Sequence, residues 1–333
     1  VHATRYSTNG CPPPQGMLAA RAITVVAVLG AFVATGADSL SLLQTAVKQH
    51  GGHAGSAQSP DARAPSGAEA RSALILTGAV SRLYHNPVSE LKTSDDLYNS
   101  TFPYTPVRVT GAAIKRHIVR PNPNVDVFIH CWNPDLQDEF LKVFEPRRAK
   151  FEDNRPMQQT FKSKIGRHGD FRQVSWAYSI QQGVRLMMQE EEASGVRYDS
   201  VVFYRPDVML LKDISISSIL QNRSAVYRNS QSVGDFHFVM SRDNAVRFAG
   251  MYDFASPERN THAHGWIHKF VTEQMQVDCP SDGIQPGRDE EVYRKLPKQQ
   301  ARGEFSCHVL KGYGFTAADA ADLGVLGNVR CHI

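Results

Sequence analysis

Arg205-Pro206-Asp207 closes the apolar run Val201-Val202-Phe203-Tyr204. Such a run demands burial and reads as an interior strand. Pro206, which has no backbone donor, ends it. A carboxylate delivered at that strand end can meet a diphosphate or its metal ion. Arg205 can neutralise phosphate or hold Asp207; the plainer reading is an Arg–Asp pair that only ends a strand. Other apolar runs are also bounded by polar residues: Gly78-Ala79-Val80-Ser81-Arg82, His130-Cys131-Trp132-Asn133 and Gly234-Asp235. His264 and His268 stand at helical i, i+4 spacing, which suits zinc, but no third ligand is evident and Gly265 weakens the helix. Asp289-Glu290-Glu291 reads equally as an acidic acceptor-side element and as the first turn of a helix.

These residues must be placed by the elements around them. Ala73-Leu74-Ile75-Leu76-Thr77 is a short apolar run closed by Gly78, and Val125 to His130 is a second. Tyr198 to Tyr204 is a third, and Phe236 to Met240 a fourth. Gln173 to Glu192 carries Val174, Ala177, Tyr178, Val184 and Met187-Met188 at three-and-four spacing. That pattern predicts a helix packed along one side, ending in a solvated acidic run, Glu190-Glu191-Glu192. Ser175 and Tyr178 begin it, at a terminus that can meet phosphate. Ser241 caps a helix over Arg242 to Tyr252. Strands separated by helices imply an α/β fold with a mostly parallel sheet, which binds ligands beyond the carboxyl ends of its strands.

Composition is that of an ordinary globular protein. The 333 residues are 41% hydrophobic and 21% charged, which excludes a disordered or collagen-like chain and a multi-span membrane protein. A net charge of +4, spread along the chain, does not signal a nucleic-acid partner. Five cysteines without a C-x-x-C pair exclude zinc-finger spacing. Cys131 follows an apolar strand and reads as a buried thiol, whereas Cys279, Cys307 and Cys331 leave room for an oxidised pair.

Residues 1–21 read as an N-terminal tail, and a targeting segment follows it. Residues 22–37 carry no charge and are shorter than the ~20 residues usually needed to span a bilayer. They suit a cleaved signal peptide or an uncleaved signal anchor with Arg21 on the cytoplasmic side. Met17 lies just upstream, so residues 1–16 are open to reading as gene-model sequence. The region 38–71 is a flexible stem, richest in Gly, Ala, Ser and Pro from Lys48 onward, and residues 72–333 form the folded domain. Sequons at Asn99 and Asn222 fit secretory passage.

Five segments in order, LILTGAVSR, VDVFIHCWN, QVSWAYSIQQGVRLM, YDSVVFYRPDVML and GDFHFVMSRDNAVRFAGMY, resemble a group of GT-A-like glycosyltransferases of the Golgi type. The resemblance covers roughly residues 73 to 254 and implies a Rossmann-type, mostly parallel sheet flanked by helices. It implies a nucleotide-sugar donor, a glycan or glycoprotein acceptor, and membrane attachment through the N-terminal segment. Asp207 resembles the final aspartate of the D-x-D element that binds metal and diphosphate. Arg205 stands where the first aspartate is expected, which puts the use of Mn²⁺ or Mg²⁺ in question. Gly78 and Arg82 would sit beside the nucleotide. Asp235 would hold sugar hydroxyls or act as general base. His264 or His268 would complete a metal site with Asp207. His130 would satisfy a core hydrogen bond or face the site edge, and Trp132 would be core or stack on a sugar.

The reading is therefore a lumenal hexosyltransferase-like enzyme of the Golgi or endoplasmic reticulum. Two rivals stand beside it. A lumenal sulfotransferase shares the anchor-stem-α/β layout, but the loop after the first strand lacks the lysine and second glycine of a PAPS-binding turn. A non-catalytic sugar-binding protein is kept in view by Arg205.

Overall fold

The computed structural model describes residues 70–80, 105–166, 171–229, 236–259, 265–284, 290–292, 311–314 and 316. All lie in the compact unit Pro65–Ile333. Residues 22–37, Asn99, Cys307 and Cys331 fall outside the described residues. Among the described residues no helix is long and apolar enough to cross a membrane.

The chain opens with β1 (Ser72–Gly78), then α1 (Val107–Ile114), which runs on into a π-helical turn over Lys115–Val119. Next come β2 (Val125–Cys131), α2 (Gln137–Phe144), β3 (Arg148–Phe151), α3 (Gln158–Lys162) and the long α4 (Phe171–Ser194). β4 (Ser200–Tyr204), β5 (Val208–Leu210), α5 (Ile216–Ile219), β6 (Val226–Arg228) and β7 (His237–Ser241) follow. The rest is α6 (Arg242–Ala249), α7 (Met251–Phe254), α8 (Gly265–Lys269) and β8 (Glu290–Val292).

Six strands form one sheet in the order β3-β2-β1-β4-β7-β6. The first four are mutually parallel; β7 runs antiparallel to β4 and to β6. The expected α/β fold with a mostly parallel, helix-flanked sheet is present. Period-two alternation divides β1 between two cores. Ala73 and Ile75 face the α4 side with Phe128, Val201 and Phe203, whereas Leu74 and Leu76 face the other side with Ile114, Ile129 and Phe140. All seven β1 residues are buried, as a strand covered on both faces requires.

The order of the strands sets where a ligand can bind. From β1 the chain moves outward to β2 and β3, and α4 carries it back to β4 on β1's other side. Sheets with such a reversal bind ligands in a crevice beyond the carboxyl ends of the strands on either side of it, here β1 and β4. Helix α4 runs against the strands. Near its start Ser179 meets Gly78 at the end of β1, and near its finish Glu190 meets Arg148 at the start of β3.

Several expectations change here. α4 begins at Phe171, so Ser175 and Tyr178 lie one to two turns inside the helix and do not form its terminus. The acidic run is not all solvated. Glu190 accepts from Arg148 Nε at 2.9 Å. Glu191, only 10% exposed, accepts from Arg242 at 2.7 Å and from the Tyr198 amide at 3.0 Å. These two carboxylates tie the helix end to β3 and α6, because strand starts and helix end share one edge of the sheet; only Glu192 is exposed. Ser241 caps α6 by accepting from Asn244 N, but the helix breaks at Gly250 before Tyr252. Glu290 and Glu291 are not a helix start: they lie in β8, paired antiparallel with β5 immediately after Asp207. The β3, β5, β6 and β8 strands were not read from sequence. Three of them have three residues each, and β3 is a partly exposed edge without an apolar run.

Candidate functional site

The crevice is bounded on one side by the residues that follow β4. Tyr204 is buried opposite His237, and the Arg205 amide donates to Phe236 O at 3.1 Å, which carries the pairing one residue past the strand. The Val208 amide then donates to Arg205 O at 3.3 Å and turns the chain back. This turn brings Asp207 under Arg205. Arg205 Nε donates to Asp207 Oδ1 at 3.0 Å, and a terminal nitrogen donates to Oδ2 at 2.9 Å. The pair is a two-bond guanidinium–carboxylate fork, the strongest geometry for such groups. The Asp207 side chain is 0% exposed and that of Arg205 is 20% exposed. The guanidinium carbon also lies 5.6 Å from the centre of the Phe236 ring. Asp207 thus stands at the edge where the apolar run leaves it, with its carboxylate turned inward to Arg205.

That arrangement does not fit a divalent cation on Asp207. Both carboxylate oxygens already receive guanidinium hydrogens, and an added cation would lie beside a fixed positive charge. Among the described residues no group of three or more His, Cys, Asp or Glu is placed to hold a metal. His268 lies in α8 with its Nδ1 buried and without a hydrogen-bond partner among the described residues. His264, Arg82 and Asp235 lie outside the described residues, so their expected roles are neither placed nor excluded.

The other wall is the end of β1. Gly78 has φ +107°, a conformation that only glycine adopts without strain. Its N–H donates to Ser179 Oγ at 2.8 Å and its carbonyl accepts from the Trp132 amide at 3.2 Å. Two residues on, the Val80 amide donates to Asn133 Oδ1 at 2.7 Å. The polar residues that end β2 therefore hold the segment leaving β1. The register Leu76↔Tyr204 places Gly78 and the Arg205-Pro206-Asp207 turn on neighbouring strand ends.

The remaining β2 candidates are supports. Trp132 is 4% exposed and stacks on Tyr178 with ring centres 5.4 Å apart, so it is core and offers no face to a sugar. Burial, with the charges of Asp135 and Asp207, pushes the Cys131 thiol up to about 12, which leaves it without nucleophilic thiolate. His130 is fully buried. Its Nδ1 lies 2.7 Å from Ser179 Oγ and its Nε2 lies 2.8 Å from Glu152 Oε2. Lys150 Nζ lies 2.8 Å from the other Glu152 oxygen. Ser, His and Glu at these spacings resemble a nucleophile with its base and orienting acid. Here the hydroxyl is fully buried and accepts the Gly78 amide, so no substrate reaches it.

The titration of this pair makes a prediction. Burial holds the His130 imidazole below its ordinary 6.5, outweighing the nearby Glu152 carboxylate. The hydrogen bond from His130, aided by Lys150, holds Glu152 down to about 2. In both cases the unfolded chain binds the proton first as pH falls. Stability is therefore expected to decline below about pH 6.5 through His130 and again between 4.5 and about 2 through Glu152. Urea midpoints measured across that range should lose the lower step in Glu152→Gln. An identical profile in that variant would count against the assignment.

One pair near the crevice escaped the sequence. His237 opens β7 and stacks on Tyr204 with ring centres 6.0 Å apart. Its Nε2 is hydrogen-bonded to Asp282, and both side chains are 0% exposed. Asp282 arrives on a loop laid along β6, where Val226 N donates to Asp278 O and Asp282 N donates to Arg228 O. Nothing in the spacing of two residues so far apart in the chain announces this contact.

No family model and no curated protein matches the sequence. Among solved structures the chain is similar to a nucleotidyl transferase from Methanothermobacter thermautotroptrophicus, with TM-score 0.40 and 12% identity, covering 74% of this chain and 100% of that one. It is also similar to a cytidylyltransferase from Leptospira borgpetersenii serovar Hardjo-bovis, with TM-score 0.38 and 10% identity, covering 80% and 100%. A third is the glycosyltransferase GlyE of Streptococcus pneumoniae TIGR4, with TM-score 0.36 and 8% identity, covering 77% and 62%.

Proposed function

We propose that this chain is a GT-A-like glycosyltransferase that moves a sugar from a nucleotide-sugar donor to a glycan or protein hydroxyl in the secretory pathway. The observation that carries the proposal is the placement of Gly78 and the Arg205–Asp207 fork just beyond neighbouring strand ends at the switch point of the sheet. A departing nucleoside diphosphate needs positive charge, and Arg205 supplies it in an orientation that Asp207 holds. Because the pair does not suit a divalent ion, the leaving group is stabilised by arginine. Membrane attachment through residues 22–37 and lumenal residence belong to the same proposal. The exposed sequon residue Asn222 supports them.

The test is a screen of nucleotide sugars by thermal shift and by transfer to glycan acceptors, with Mn²⁺ and with EDTA. One donor at 100 times its Kd should stabilise the protein by about 2.7 kcal/mol. Transfer should persist in EDTA. Turnover strictly dependent on Mn²⁺ would contradict the arginine assignment, and absence of any donor binding would remove the transferase reading. A second reading, a sugar-nucleotide-binding protein without catalysis, is favoured by the full burial of Asp207. It predicts binding without transfer or hydrolysis.

A further inference from the structure

A chain of polar side chains runs from the exposed end of β3 through the buried His130 and Ser179 to Gly78 at the end of β1. Lys150, 40% exposed, meets Glu152 just beyond the end of β3. Glu152 meets His130 near the end of β2, His130 meets Ser179 in α4, and Ser179 receives the amide of Gly78. A carboxylate accepts only, so the neutral imidazole carries its hydrogen on Nε2 toward Glu152. The Ser179 hydroxyl hydrogen then faces two acceptors, Nδ1 at 2.7 Å and the His130 carbonyl at 3.1 Å, and the Ser179 oxygen stays open to the Gly78 N–H. The tautomer is fixed at one end of the chain and the backbone of Gly78 at the other.

We propose that Ser179, His130 and Glu152 are positioning residues that set the conformation of the Gly78 segment so that it receives the diphosphate of the donor. The proposal rests on the donor-site reading given above. Gly78 is buried, so its amide must find a partner within the protein, and that partner is a side chain instead of a neighbouring strand. Burying several polar groups is costly unless every one is bonded, and a fully bonded network is rigid. Here the rigidity ends on a glycine at φ +107° beside the Arg205–Asp207 fork. Asn133 repeats the arrangement two residues later at Val80. Side chains thus hold the segment leaving β1 at both positions.

The relay predicts a loss specific to phosphate. Binding of UDP, GDP, CDP and ADP, and of the four matching nucleosides, is measured by NMR titration of the full chain and of Ser179→Ala. In the wild type at least one diphosphate should bind more tightly than its nucleoside. Ser179→Ala should weaken that diphosphate about tenfold, the loss of one buried hydrogen bond, and leave the nucleoside unchanged. A purely structural serine would move both affinities together or neither, and either result overturns the relay while leaving the donor site standing. A wild-type protein that binds no diphosphate overturns the donor site itself. Where Ser179→Ala does not fold, Glu152→Gln tests the same chain from its 28% exposed end. A smaller loss for the diphosphate alone is expected there, and unchanged binding would overturn the relay.

Discussion

Arg205→Ala is expected to lower the unfolding free energy by about 3–5 kcal/mol, the usual loss when one member of a buried ion pair is removed. The reason is the state of Asp207, a 0% exposed carboxylate that loses both of its guanidinium hydrogen bonds. Asp207→Asn keeps the volume and removes the charge. Arg205 is then no longer held by a matching fork, and transfer should fall on the order of 10²-fold. Loss of activity alone does not separate a structural pair from a functional one. The double variant Arg205→Met with Asp207→Leu does. Apolar replacement of a whole buried pair is often neutral for stability. Recovered stability with transfer still abolished supports the donor role. Recovered stability with full transfer would show that the pair only closes the strand.

Gly183→Ala is expected to destabilise the fold although alanine is the better helix former. The propensity gain is about 1 kcal/mol in a helix interior. Against it, a methyl group at this position would lie 2.3 Å from Ile75 Cγ2, which no unshifted structure tolerates. Ile75 is β-branched and fully buried in an interior strand, so it cannot turn aside. Overpacking of this kind costs about 1–3 kcal/mol, and Gly183→Val should sit at or beyond the upper end. The shift also separates α4 from β1, and with it Ser179 from Gly78, so diphosphate binding should weaken in parallel. Urea unfolding gives the first effect and NMR titration the second. An alanine variant as stable as the wild type would refute the close approach.

Much of this architecture was legible in the residues. Runs such as Leu74-Ile75-Leu76 and Val201-Val202-Phe203 are too apolar to lie anywhere but inside a sheet, and the three-and-four spacing from Val174 to Met187 admits only a helix. These are local patterns, and local patterns set which elements form and which faces they bury. The end of β4 at Arg205-Pro206-Asp207 was readable for the same reason, since proline and charge stop an interior strand.

Which groups meet across elements was decided only by the tertiary structure. Asp207 reads both as an acid presented to ligand and as a partner of Arg205; the turn after β4 folds it beneath Arg205 with both carboxylate oxygens bonded. Glu190 and Glu191 read as solvated until β3 and α6 bring Arg148 and Arg242 to them. That Gly183 has no room for a side chain is set by Ile75, which occupies the space where one would be. His237 and Asp282 meet through a loop laid on β6. Lys150 and Glu152 at the end of β3, His130 in β2, Ser179 in α4 and Gly78 in β1 come from four separate places in the chain. Hydrogen bonds and contact distances between distant segments depend on strand order and helix placement, and the periodicity of a single segment carries no information about either.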